Sequence, residues 1–274
     1  MTLEDHAGDV ARKARMMARL PAAEAALIAR LGREAYEAFE ADGQLPAGAD
    51  WPALGARLGL AADRLQRVAG GWLPAPVDCA AWGGLREFTT EQEGLAVHSY
   101  LVWDPAAHVA ALFDTGWDLA PAEAVLAEHG LRLAHLFITH GHRDHVAALA
   151  DFRQRHPDAQ IRSNLAGTPA VQRNQPGEVV SLGALRVAHR ETPGHAADGV
   201  TYVVTGWPGG RPAVALVGDA IFAGSMGGAP EHGELARSRV REHILTLPYD
   251  TLICPGHGPL TTVGTERANN PFFA

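Results

Sequence analysis

The chain has 274 residues, 47% hydrophobic and 20% charged, the make-up of an ordinary soluble globular protein and not of a fibrous, disordered or repeat-built one. Thirty-one acidic against twenty-three basic side chains leave a formal charge of −8, which argues against a surface built to neutralise nucleic-acid phosphates. No run approaches the ~18 apolar residues of a membrane span, the start is acidic (Glu4, Asp5, Asp9) where a leader is basic, and two cysteines, Cys79 and Cys254, make no disulfide framework. A cytoplasmic protein that does not engage a membrane is expected.

The first seventy residues are rich in Ala, Leu, Arg and Glu, with apolar positions at helical spacing, and predict a small all-helical module over residues 1–74. One helix is expected over Leu3 to Leu20 and a second from Pro21 to about Ala41. A third is capped by Asp50 and carries Pro52 in its first turn, and a fourth spans Asp63 to Ala69, closed by Gly70-Gly71. Trp51 to Gly71 also resembles a helix-turn-helix. Up to Asp78, however, there are nine basic and eleven acidic side chains, so a lid, a packing element or a homodimer contact is expected ahead of a DNA reader. Trp72-Leu-Pro-Ala-Pro-Val77 reads as a linker.

From Cys79 the texture changes to short β-type runs: Ser99 to Trp103, Val109 to Phe113, His135 to Ile138, Val200 to Val204 and Ala213 to Val217. Helical patterns run from Pro121 to His129, from Asp144 to about Gln154 and from Gly233 to Leu247. An α/β body over residues 79–274 follows, with functional groups expected on the loops after strands.

Five of the fourteen histidines fall where chemistry is expected. Directly after the run His135-Leu-Phe-Ile stands Thr139-His140-Gly141-His142-Arg143-Asp144-His145, three imidazoles and a carboxylate within six residues. At an extended strand end, His140 and His142 point the same way because side chains alternate. The turn into a helix sends Asp144 and His145 to an adjacent position, and Arg143 between them faces away. One loop thus offers two ligands to each of two neighbouring metals. Further donors are needed, and three more strand ends supply them: Thr192-Pro-Gly-His195, Gly218-Asp219 and Cys254-Pro-Gly-His257. Asp114, in Phe113-Asp-Thr-Gly, is placed to accept a ligand imidazole N–H.

These motifs, with the ending Thr261-Thr-Val-Gly-Thr-Glu-Arg-Ala-Asn-Asn-Pro-Phe, resemble the metallo-β-lactamase superfamily over residues 80–274, most closely its glyoxalase II-like (hydroxyacylglutathione hydrolase-like) branch. The resemblance implies an αβ/βα sandwich with a dinuclear centre. It assigns His140, His142 and His195 to one metal and Asp144, His145 and His257 to the second, with Asp219 bridging. A water shared by two divalent ions, zinc foremost with iron or manganese admitted, is then the nucleophile on a small-molecule acyl substrate, a thioester first. Asp144 and Asp219 are the carboxylates that hold the catalytic metals.

Alternatives within the resemblance are a mononuclear-iron persulfide dioxygenase and a lactonase; outside enzymes, a metal-containing sensor that uses the helix-turn-helix-like segment. Two departures stand out. Ala147-Ala148 replaces the usual Gly-Gly, and Ser225-Met-Gly-Gly228 lacks the expected Arg. The glutathione-holding helices that follow such a body are not represented after Asn270-Pro-Phe, so a smaller or different thiol carrier is expected. Ala223-Gly-Ser-Met-Gly superficially suggests a serine nucleophile at Ser225 with Asp250 and His257, a reading that leaves His140, His142 and His145 idle.

Overall fold

A computed structural model describes residues 2–273. Five helices come first: α1 (Ala7–Met17), α2 (Ala22–Ile28), α3 (Arg33–Asp42), α4 (Trp51–Leu58) and α5 (Ala62–Ala69). The sequence pattern merged two of them. Arg30 takes a left-handed φ of 56° and Gly32 caps α3, so the run from Pro21 to Ala41 is broken. Helix α1 begins four residues later than its periodicity suggests, because the His6 ring accepts the Asp9 N–H while the Asp9 carboxylate accepts the His6 N–H. Leu3 to Asp5 are thereby left outside the helix.

The first sheet holds β1 (Leu85–Gln92), β2 (Leu95–Asp104), β3 (Val109–Phe113), β4 (Arg132–Phe137) and β5 (Gln160–Arg162), side by side in that order. Helix α6 (Ala120–Glu128) links β3 to β4, and α7 (Arg143–Val146) and α8 (Leu149–Arg155) precede β5. Helices α7 and α8 are separate, not one helix from Asp144. The second sheet holds β6 (Val179–Leu182), β7 (Leu185–Glu191), β8 (Val200–Thr205), β9 (Val214–Gly218), β10 (Leu252–Pro255) and β11 (Thr261–Thr262), in the order β11-β10-β9-β8-β7-β6. Helix α9 (Gly233–His243) lies between β9 and β10, and α10 (Val263–Asn269) follows β11. Pairs β3/β4 and β9/β10 are parallel, so the carboxyl ends of each pair emerge at one edge of their sheet. There the chain must turn, and there the donors lie.

The layers follow from strands that are apolar on both faces. Inward residues such as Val102, Phe113, Phe137, Tyr202 and Leu216 fill the space between the sheets. Their neighbours Leu101, Leu112 and Leu136 face outward onto Val125 of α6 and Phe152 of α8. On the other side Ala215, Val217 and Ile253 share a core with Val10, Phe39, Trp51 and Leu65 of the N-terminal helices and Val240 of α9. The expected αβ/βα sandwich is therefore present, and its second helical layer is built largely from residues 7–69. No helix of the described residues is long and apolar enough to cross a membrane.

Candidate metal centre

Every loop singled out by the sequence meets at one edge of the sandwich. His140, His142, His195 and Asp219 bring one donor atom each within 4.8 Å of one another, and Asp144, His145 and His257 do the same beside them. In the first group His140 Nε2 lies 3.0 Å and His195 Nε2 2.9 Å from His142 Nδ1. The His195 Nδ1–H donates to the Gly228 carbonyl at 2.9 Å, which turns an Nε2 lone pair inward. His140 Nδ1 donates to Thr139 Oγ1 at 3.1 Å, because that hydroxyl spends its own proton on Asp114. Two lone pairs thus converge on one ring nitrogen, and a single proton there satisfies only one of them. A cation satisfies all three.

In the second group His257 Nε2 stands 3.2 Å from Asp144 Oδ2 and 3.5 Å from Asp219 Oδ2, while its Nδ1–H donates to the Ala96 carbonyl at 2.8 Å. His145 Nε2 is 3.2 Å from Asp219 Oδ1. Both of those atoms are buried without a hydrogen-bond partner among the described residues, a state that costs free energy until something binds them. Asp219 touches both groups, with His195 Nε2 at 3.4 Å. The donor set, five imidazoles and two carboxylates with orphaned atoms at its middle, fits one or two divalent ions.

Burial and the neighbouring imidazoles push His140 down to about 2, so its ring stays neutral and ready to ligate. For His257 burial opposes the charged form, but the Asp144 and Asp219 carboxylates prevail and raise it to about 10. The buried Asp219 carboxyl is held well below the ordinary range by His145 and His257 despite its desolvation. Without metal, protons stand in for cations in this group.

Asp114 sits behind His145. Its carboxylate accepts the His145 Nδ1–H, the Thr139 hydroxyl and the Thr139 N–H, each at 2.7 Å, and its backbone takes a φ of 56°. Glycine is required here more for space than for turning: a Cβ on Gly256 would stand 2.3 Å from Asp219 Oδ1 and 2.5 Å from His145 Cε1. Arg143 does face away, exposed, its guanidinium 5.4 Å from the Trp117 ring centre. Ser225 is fully buried and Asp250 exposed, so no serine nucleophile forms. Cys254 is fully buried between the sheets and its thiol is pushed well above the ordinary range by that burial. Residue patterns could not reveal the Gly228 and Ala96 carbonyls that orient His195 and His257, since every residue carries a carbonyl.

A model of the metallo-beta-lactamase superfamily matches residues 93–257. The chain is 32% identical over 182 residues to the human mitochondrial persulfide dioxygenase ETHE1, covering 63% of this chain and 70% of that one. It is 29% identical over 198 residues to the hydroxyacylglutathione hydrolase GloC of Haemophilus influenzae, covering 63% and 91%. Among solved structures, TTHA1623 in a di-iron-bound form superposes with a TM-score of 0.52 at 27% identity, over 68% of this chain and 99% of that one.

Proposed function

The chain belongs to the metallo-beta-lactamase superfamily, and from that premise we propose that it is a metal-dependent hydrolase of a small activated acyl compound, a thioester foremost. The observation that carries this reading is the pair of converging donor groups that share Asp219. His140, His142 and His195 would hold one ion, Asp144, His145 and His257 the other, and Asp219 both. Imidazoles suit zinc, and the carboxylates admit iron or manganese; the di-iron form of TTHA1623 supports a two-ion centre. When bound, two such ions supply an acidified water as nucleophile and a Lewis acid for the acyl carbonyl.

The chain's own groups prepare that chemistry. Asp114, Gly228 and Ala96 each take the outer N–H of a ligand ring, so that the inner nitrogen is the one aimed at the centre, where a cation would replace its proton. The polar side chains of the two donor groups are committed as ligands, which leaves none of those seven as a neutral acid for an amine, whereas a thiolate departs without a proton.

Elemental analysis of loaded protein and kcat/KM on thioesters, lactones, lactams and phosphodiesters test the reading. Two ions per chain and a preference for thioesters are expected. A ceiling of one ion, or a preference for any other class, overturns it. Identity to a persulfide dioxygenase favours one rival: iron-dependent oxygen consumption with a persulfide would replace the hydrolytic assignment.

A further inference from the structure

The segment before α1, and α1 itself, reach the loop that follows Asp219. Asp5 is 6% exposed; it accepts the Ser225 hydroxyl at 2.6 Å and pairs with Lys13. The Lys13 ammonium donates also to the Met226 carbonyl at 3.1 Å and lies 5.1 Å from the Phe222 ring centre. Ser225 and Met226 are wholly buried. In the next two residues the Gly227 N–H donates to the Asp219 carbonyl at 3.1 Å, and the Gly228 carbonyl accepts the His195 Nδ1–H at 2.9 Å. A Cβ on Gly227 would stand 2.7 Å from His195 Nδ1, so loop and ring are in contact.

A Gly-Gly pair has little stiffness of its own, and the direction of the Gly228 carbonyl must be set from outside. A part-buried Lys-Asp pair, tied to the two residues just before it, is an anchor with charge-assisted hydrogen bonds. We infer that Asp5 and Lys13 are positioning residues that fix the His195 ring through the 225–228 loop, so that the N-terminal helices tune the first donor group. The rings of the second group take their orientation elsewhere, from Asp114 and the Ala96 carbonyl, and this loop reaches that group through the backbone of the shared Asp219 and through the Phe222 ring, 5.8 Å from that of His257. This inference rests on the metal centre proposed above.

Zinc affinity, measured by chelator competition, separates the two groups when taken in a His257→Ala background, where the first remains whole, and in a His142→Ala background, where the second does. Lys13→Met is expected to weaken zinc about tenfold in the first background and under about twofold in the second. Lys13→Gln, which keeps an N–H for the Met226 carbonyl, should recover most of the loss. Ser225→Ala cuts only the hydroxyl link and should shift affinity in the same direction, which keeps the test alive if Lys13→Met does not fold. Equal weakening in both backgrounds, or unchanged affinity in the first, overturns the inference. A parent chain that takes up no zinc, iron or manganese overturns the metal centre and the brace with it.

Discussion

Asp114 cannot exchange its carboxylate for an amide without a consequence at His145. Asn tolerates the left-handed backbone and can still accept the Thr139 N–H, but its NH2 would face the His145 Nδ1–H. The ring then relocates its proton to Nε2, the atom turned toward Asp219. Asp114→Asn should therefore fold normally and lose roughly 10–100-fold in affinity at the second donor group, with the first barely changed; zinc titration of the two groups checks this. At this scale the sequence was informative for the donors and for Asp114 behind them, and silent on the backbone carbonyls that aim His195 and His257. Side-chain types at fixed spacing revealed the seven converging residues and Asp114, because few chemistries place three imidazoles and a carboxylate in six residues. The brace through Asp5, Lys13 and Ser225 left no such signal, since a Lys and an Asp near a chain start usually mean a solvated surface.

Between strand and helix, the contacts of α10 show how an element distant from the donors stabilises the loop beside them. Glu266 of α10 is wholly buried and accepts from the Thr261 hydroxyl, the Gly224 N–H and the Asn270 amide. Burial nonetheless raises its carboxyl to about 7. Because the folded value lies above the unfolded one near 4.5, the folded state binds the proton more tightly. That contribution is complete below pH ~4.5 and is lost as pH rises through ~7. Glu266→Gln keeps the shape, and the Thr261 hydroxyl can rotate to accept its N–H. The variant should gain on the parent as pH rises from 5 to 8, by up to about 3 kcal/mol, measured by urea unfolding. Element boundaries were the less legible part of the fold. The breaks at Arg30 and between α7 and α8, and the late start of α1, follow from local backbone choices that apolar periodicity averages away. The strands themselves were legible because burial on both faces leaves continuous apolar runs.

For the molecule as a whole, the shared core of α1–α5 with the second sheet decides what a truncation would do. A proline-rich linker, and ligands that all lie beyond residue 139, suggest that the body folds and binds metal alone. The packing changes that expectation: deleting residues 1–74 would uncover Ala215, Val217 and Ile253, along with the contacts of α9, and take away Asp5 and Lys13. Such a fragment should aggregate or bind a dye for exposed apolar surface, as light scattering and dye fluorescence would report, whereas a soluble fragment with parental zinc affinity would contradict the layer assignment. The same layering bears on how the chain is made. Lys13 waits for a carbonyl 213 residues downstream, and Arg64 for the Phe273 carbonyl 209 residues later. At ribosomal rates of ~5–20 residues per second, the helices made first spend roughly 10 to 40 s without the sheet that will cover them. Synthesis therefore runs ahead of tertiary structure, the helices can be covered only once the strands of the second sheet have been made, and the interval in which their apolar faces stay open is set by the distance along the chain between α1 and the loop it braces.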